Sequence, residues 1–233
     1  MKKYGFFMLA MGFLLGFILP SCSELEDIFQ NDETAAGLRE ALLISTDTTV
    51  NQAGVLDGFY QNATIKILFP DDAQSAQILT YIDNNPILGA ALEGLTENFV
   101  QRMNRAAEQA TPLAKDIFKE TIRNITISDA IGILNGGDYA ATEFLENNAR
   151  PALYNAFLPI VEDKIGEVGA DNIWSQVTGT YNTLSGNQVN TDINDYVTNK
   201  ALDGIFHLIG EEEQKIRTDP LHRVTELLQR VFG

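Results

Sequence analysis

The chain has one cysteine and two histidines among 233 residues, and each scarcity closes off some chemistry. A single cysteine, Cys22, has no partner for an internal disulfide, so the fold must be held by packing alone. With only His207 and His222, a transition-metal site would have to recruit carboxylates to reach its three or four ligands. Basic residues are also few: 16 lysines and arginines stand against 32 acids, a formal net charge of −16. A chain so acidic does not suit nucleic acid, whose phosphates demand a basic patch, nor an anionic membrane surface. Several enzyme signatures are missing as well. No Gly-x-Ser-x-Gly nucleophile elbow and no phosphate-binding Gly-rich loop ending in Lys-Ser/Thr occurs. There is no fixed-period repeat and no tract rich in proline, glycine or serine.

The N-terminus is where the sequence is most explicit. Met1-Lys2-Lys3 is followed by an apolar run from Tyr4 to Leu19, the charged and hydrophobic parts of a secretory signal. The run is short of the ~20 residues a membrane-spanning helix needs. Leu19-Pro20-Ser21-Cys22 then resembles a bacterial lipobox, in which the cysteine receives a diacylglycerol thioether. The alternative is an ordinary signal peptide with an incidental cysteine. Acyl chains hold a protein on a membrane at ~0.8 kcal/mol per buried methylene. The expected division is a signal peptide over 1–21, an acidic tether over 22–33 and one helical domain over 34–233. Loss of 1–21 removes Lys2 and Lys3 and no acid, so the remaining body is more acidic still.

From Thr34 onward apolar residues recur at three- and four-residue spacing, the period of helices. The pattern predicts an all-α, bundle-like domain of roughly eight to ten helices. The first, Thr34–Val50, places Leu38, Leu42 and Ser45 on one face. One stretch, 54–70, is not helical: Ile65-Lys66-Ile67-Leu68-Phe69 alternates like a strand but has no partner strand, so it should lie across the helices. Thr111, Ser128, Asp138 and Asp171 are expected as helix caps, and Gly136-Gly137 as a left-handed stop. Pro159 should kink or break the helix that Pro151 begins. Asp219-Pro220 should open a last helix. The run Ala201–Ile209 is apolar on most sides except Asp203 and His207, which predicts a central helix, with Gly204 marking close approach of another helix.

Chemistry-bearing constellations are sparse. Asn135-Gly136-Gly137-Asp138 lacks the preceding strand of a nucleotide loop. Asn190-x-Asp192-x-Asn194 starts like a calcium loop but has Asp195 where glycine is required and Ala201 where glutamate is required. Asp203, His207 and Glu211 fall at i, i+4 and i+8 on one helical stripe, where a metal could meet carboxylate and imidazole, with His222 able to join. A metal-assisted hydrolase is the reading this stripe would serve; a solvated, ion-paired face is the plainer one.

Several stretches resemble one family of bacterial envelope proteins: Met103-Asn104-Arg105-Ala106-Ala107-Glu108, Ala114-Lys115-Asp116-Ile117-Phe118, Ile133-Leu134-Asn135-Gly136-Gly137-Asp138, the run from Asp195 to Arg217, and the close Val231-Phe232-Gly233. The family is domain of unknown function 4197, and the resemblance covers about Leu38 to Gly233. It implies an exported all-helical protein without an assigned activity or cofactor. It also implies weight for the polar residues of those motifs: Asn104, Arg105, Glu108, Lys115, Asp116, Asn135, Asp138, Asp195, Lys200, Asp203, Glu212 and Arg217. Such residues either satisfy one another within the bundle or line a ligand cleft. The functional expectation is a non-enzymatic lipoprotein of the cell envelope, anchored through Cys22, whose body binds an envelope protein or an apolar ligand.

Overall fold

Helices form where the apolar period predicts them. The computed structural model describes residues 22–70, 76–78, 80, 84, 86–167, 169–186 and 193–232. The expected signal segment, 1–21, lies outside the described residues, as do Asp71, Asp72, Asn187, Asn190, Thr191 and Asp192. Among the described residues there are eight α-helices and no strand: α1 (Cys22–Ala53), α2 (Pro86–Ala110), α3 (Ala114–Arg123), α4 (Ile127–Leu134), α5 (Ala140–Glu167), α6 (Ala170–Ser185), α7 (Ile193–Thr218) and α8 (Glu226–Phe232). The first helix thus starts at Cys22, ahead of the Thr34 expected from periodicity. Residues 54–70 are turns and extended chain, as the sequence predicts.

In α1, Leu38, Leu42, Ser45, Thr49 and Val50 form one buried face. Ser45 and Thr46 are tolerated there because their hydroxyls donate to the carbonyls of Ala41 and Leu42, at 2.9 and 2.8 Å. The centre of the bundle is α7. Val197, Ala201, Leu202, Ile205, Phe206, Leu208 and Ile209 are all buried, and within Ala201–Ile209 only Asp203 and His207 reach solvent. Its main neighbours are α5 and α1, with α2 a lesser one. The contact with α3 is real but local: the Phe118 and Phe206 rings meet edge to face, centroids 5.8 Å apart.

Gly204 does mark a close approach, but by the extended segment and not by a helix. A Cβ on Gly204 would stand 2.9 Å from Cε1 of Phe59 and 3.1 Å from Cβ of Ile65, both buried residues of the 54–70 stretch. The glycine lets strand-like chain lie directly on the central helix.

Helix punctuation departs from the sequence expectations where tertiary contacts overrule local signals. Thr111 is buried and donates to the Ala107 carbonyl at 2.8 Å, and a 3-10 turn over Thr111–Leu113 carries α2 into α3. Thr126, not Ser128, caps α4: its hydroxyl accepts the Asp129 N–H while the Asp129 carboxylate accepts the Thr126 N–H. Asn135 ends α4 in right-handed conformation, so no left-handed glycine follows. Gly136 is required instead by proximity, since a Cβ there would lie 2.6 Å from the Cβ of Ala140. Gly169 stands at the start of α6, and Asp171 falls within its first turn. Asp219 caps only a 3-10 turn, Pro220–His222, before α8 begins at Glu226.

Pro151 and Pro159 both lie inside α5, which continues through them. Each internal proline costs about 3 kcal/mol in a helix. Both occupy the exposed side, where a helix curving around a core already lengthens its hydrogen bonds, while Leu145, Ala149, Leu153, Phe157, Val161 and Ile165 bury the opposite side. That burial offsets the backbone cost.

Three substitutions test this arrangement by denaturant melts. Phe206→Ala should destabilise by about 3–5 kcal/mol, whereas His207→Ala, on a half-exposed side chain, should change little. Gly204→Ala gains ~1 kcal/mol of helix propensity yet should still lower the midpoint, because overpacking against Phe59 and Ile65 costs about 1–3 kcal/mol.

Candidate functional site

A strand-like segment with no neighbouring strand must satisfy its buried backbone some other way. Asn104 of α2 does this for Ile67. Its side-chain oxygen accepts the Ile67 N–H at 2.8 Å and its amide nitrogen donates to the Ile67 carbonyl at 2.7 Å. The same nitrogen donates to the Val100 carbonyl at 2.7 Å, so the amide's orientation is fixed. Asn104 thereby acts as one rung of a missing strand, fully buried.

One turn along α2, Glu108 holds the other end of the segment. Its Oε1 accepts the N–H groups of Phe59 and Tyr60 at 3.2 and 3.1 Å, and its Oε2 accepts from Arg105 at 2.7 Å. Arg105 also donates to Asp57 at 2.5 Å. Burial works against the charge on Arg105, but its hydrogen bonds to Glu108 and Asp57 outweigh that and raise its pKa above the ordinary arginine value. Arg105 and Glu108, three residues apart on α2, form an ion pair that is part of a tertiary clamp.

So fixed, residues 64–69 form one wall of a groove of about 370 Å³ whose other wall is α7, through Tyr196, Lys200, Asp203, Gly204 and His207. The Tyr196 hydroxyl crosses between the walls to the Leu68 carbonyl at 3.2 Å. Behind the groove Phe69 packs on Phe99 and Trp174, centroids 6.0 and 5.5 Å away, and those two rings stack at 4.9 Å.

The polar groups of the groove are unequal. Asp203 is engaged by Arg150 of α5, which also pairs with Glu146 at 3.0 Å. His207 pairs with Glu211 on its own helix at 3.2 Å, both side chains about half exposed. Neither Lys66 nor Lys200 meets a carboxylate among the described residues. Each is half-buried and rests on a tyrosine, Lys66 at 4.2 Å from the Tyr60 centroid and Lys200 at 5.7 Å from that of Tyr196.

The Asp203, His207 and Glu211 stripe is placed on one face as the spacing requires, but Asp203 turns to Arg150 while His207 and Glu211 pair with each other. His222 turns to Asp219 at 2.9 Å. Among the described residues no three of histidine, cysteine, aspartate and glutamate come together as a metal would need.

The model of a family described as a protein of unknown function, DUF4197, matches residues 28–233. The chain belongs to this family. No curated protein and no solved structure matches it.

The family-like polar residues of this DUF4197 protein separate by place. Asn104, Arg105 and Glu108 converge on the extended segment, and Lys200 and Asp203 line the groove it creates. Arg217 joins Glu213 at 2.9 Å and donates to the Ile133 carbonyl at 3.1 Å. Asp195 accepts from Tyr154 and Asn199, at 2.6 and 3.0 Å. Lys115 pairs with Asp47 and Glu212 with Lys215, at 3.0 and 2.6 Å on the surface. Asp116, Asn135 and Asp138 are exposed. Asp138 does not cap α5; the N–H groups of Ala141 and Thr142 donate instead to the buried Glu213 carboxylate, at 3.0 and 2.8 Å.

Sequence reasoning missed Lys66, Tyr60, Tyr196 and Glu213. Lys66 had a signal: a lone charge between two isoleucines of an alternating run marks the outward face of an extended segment. Glu213 had only its i,i+4 spacing to Arg217, since its backbone partners lie 71 and 72 residues away.

Replacing Asn104 with Leu leaves the Ile67 N–H and carbonyl unpaired. Asn104→Leu should cost about 2–4 kcal/mol in urea melts and expose 54–70 to limited proteolysis while far-ultraviolet circular dichroism stays helical. Unchanged proteolysis would show that the amide clamp does not hold the segment.

Proposed function

We propose that this DUF4197 protein is a lipoprotein of the bacterial cell envelope, anchored through Cys22, whose helical body binds a ligand in the groove between residues 64–69 and α7. The observation that carries the binding reading is the clamp: three motif residues, Asn104, Arg105 and Glu108, are spent on holding open one wall of a cavity. Its volume of about 370 Å³ falls in the range of small-molecule sites. An enzymatic reading finds less support, because the groove lining has no serine or cysteine nucleophile and its one histidine is directed to Glu211. The anchor reading rests on the charged start, the apolar run and the lipobox-like Leu19-Pro20-Ser21-Cys22.

Each half has its own test. Cells fed an alkyne fatty acid should label the wild type and leave Cys22→Ala unlabelled; equal labelling of the two removes the anchor. For the groove, full-length protein purified from membranes should carry a small molecule detectable by mass spectrometry of a solvent extract. Thr64→Trp, which places a large ring at the groove lining on an exposed residue, should lack it. A wild-type extract with no such molecule, or one that persists in Thr64→Trp, overturns the ligand reading.

A further inference from the structure

We infer that the groove is an anion site, and that its ligand carries a phosphomonoester held between Lys66 and Lys200. This rests on the reading of the groove as a ligand site and names the chemistry it selects. The chain has twice as many acids as bases, so a carboxylate is a common neighbour for a lysine. Among the described residues Lys115, Lys164 and Lys215 each have one within 3.0 Å, and Lys119, outside the groove lining, does not. Lys66 and Lys200 do not, although both are half-buried, where an unpaired ammonium is costly. They stand on the two opposite walls of one groove. The single carboxylate among the lining residues, Asp203, is engaged by Arg150, so the lining sets two ammonium charges against one carboxylate that is directed elsewhere.

The supports of the lysines agree with this. Tyr60 and Tyr196 stabilise each charge through a ring face, which leaves the ammonium N–H groups available to a ligand. The kind of cation selects the kind of anion. A planar carboxylate is best read by the fork of an arginine, whereas compact ammonium charges suit phosphate oxygens. Two of them match the near-double charge of a phosphomonoester.

The test titrates the full chain in detergent micelles by calorimetry. One arm uses inorganic phosphate and glycerol 3-phosphate; the other uses phosphatidic acid in the same micelles, against phosphatidylcholine. Trp174 fluorescence gives a local report, since this sole tryptophan contacts Phe69 of the groove. Binding in either arm is expected, and the arm identifies a soluble ester or a lipid headgroup as the source. Lys66→Met and Lys200→Met should each weaken it about tenfold to a hundredfold with unchanged melting, while Lys115→Met leaves it alone. No binding in either arm, or binding that survives the double lysine substitution, overturns the anion site. An extracted ligand lost in Thr64→Trp but lacking phosphate would overturn this inference and leave the ligand reading standing.

Discussion

The pairing of one side-chain amide with one backbone unit governs the rest of this structure. Residues 64–69 have strand character but no strand beside them, and buried peptide groups without partners are strongly disfavoured. Asn104 supplies a donor and an acceptor to Ile67 in the register a neighbouring strand would use. Because the amide comes from a helix, the segment lies on the bundle as an isolated rung. Ile65 and Ile67 are buried, Ile65 against Gly204 of α7, and the groove opens where the segment runs alongside that helix.

A second device recurs at two places. Glu108 and Glu213 are buried glutamates, each close in sequence to an arginine on its own helix, and each accepts two backbone N–H groups from a distant element. A buried carboxylate is tolerable only when paired and hydrogen-bonded, and here both conditions hold. The first instance fixes Phe59 and Tyr60; the second closes the N-terminus of α5 and, through Arg217, reaches the C-terminal end of α4. In a chain dominated by acidic surface, these two internal acids serve as long-range caps. Surface pairs such as Lys115–Asp47 contribute little by comparison.

What was legible in the sequence follows from range. Periodicity exposed the all-α class, the buried face of Leu38 and Leu42, the non-helical 54–70 stretch and the burial of Phe206, because each depends on neighbours in the chain. The pair Arg105–Glu108 was legible for the same reason. Caps were misassigned at Thr111, Ser128 and Asp138, where a buried back-bond, a capping box two residues earlier and a remote glutamate decide the matter. Gly204 was read as a close-approach site, yet what approaches it is extended chain. The site itself was half visible: Lys200 and Asp203 came with the family-like motifs, but Lys66 becomes interesting only when α7 is seen across from it.

The two walls of the groove meet through Tyr196 and Leu68, which are 128 residues apart, whereas Ile67 and Asn104 are separated by 37. Closing the longer loop carries the larger entropic cost. On a chain emerging from its N-terminus, the segment can dock on α2 while α7 does not yet exist, and the cavity appears only when the last third arrives. The floor of the site thus belongs to an early-forming unit and its roof to a late one, so occupancy of the groove is linked to completion of the whole domain.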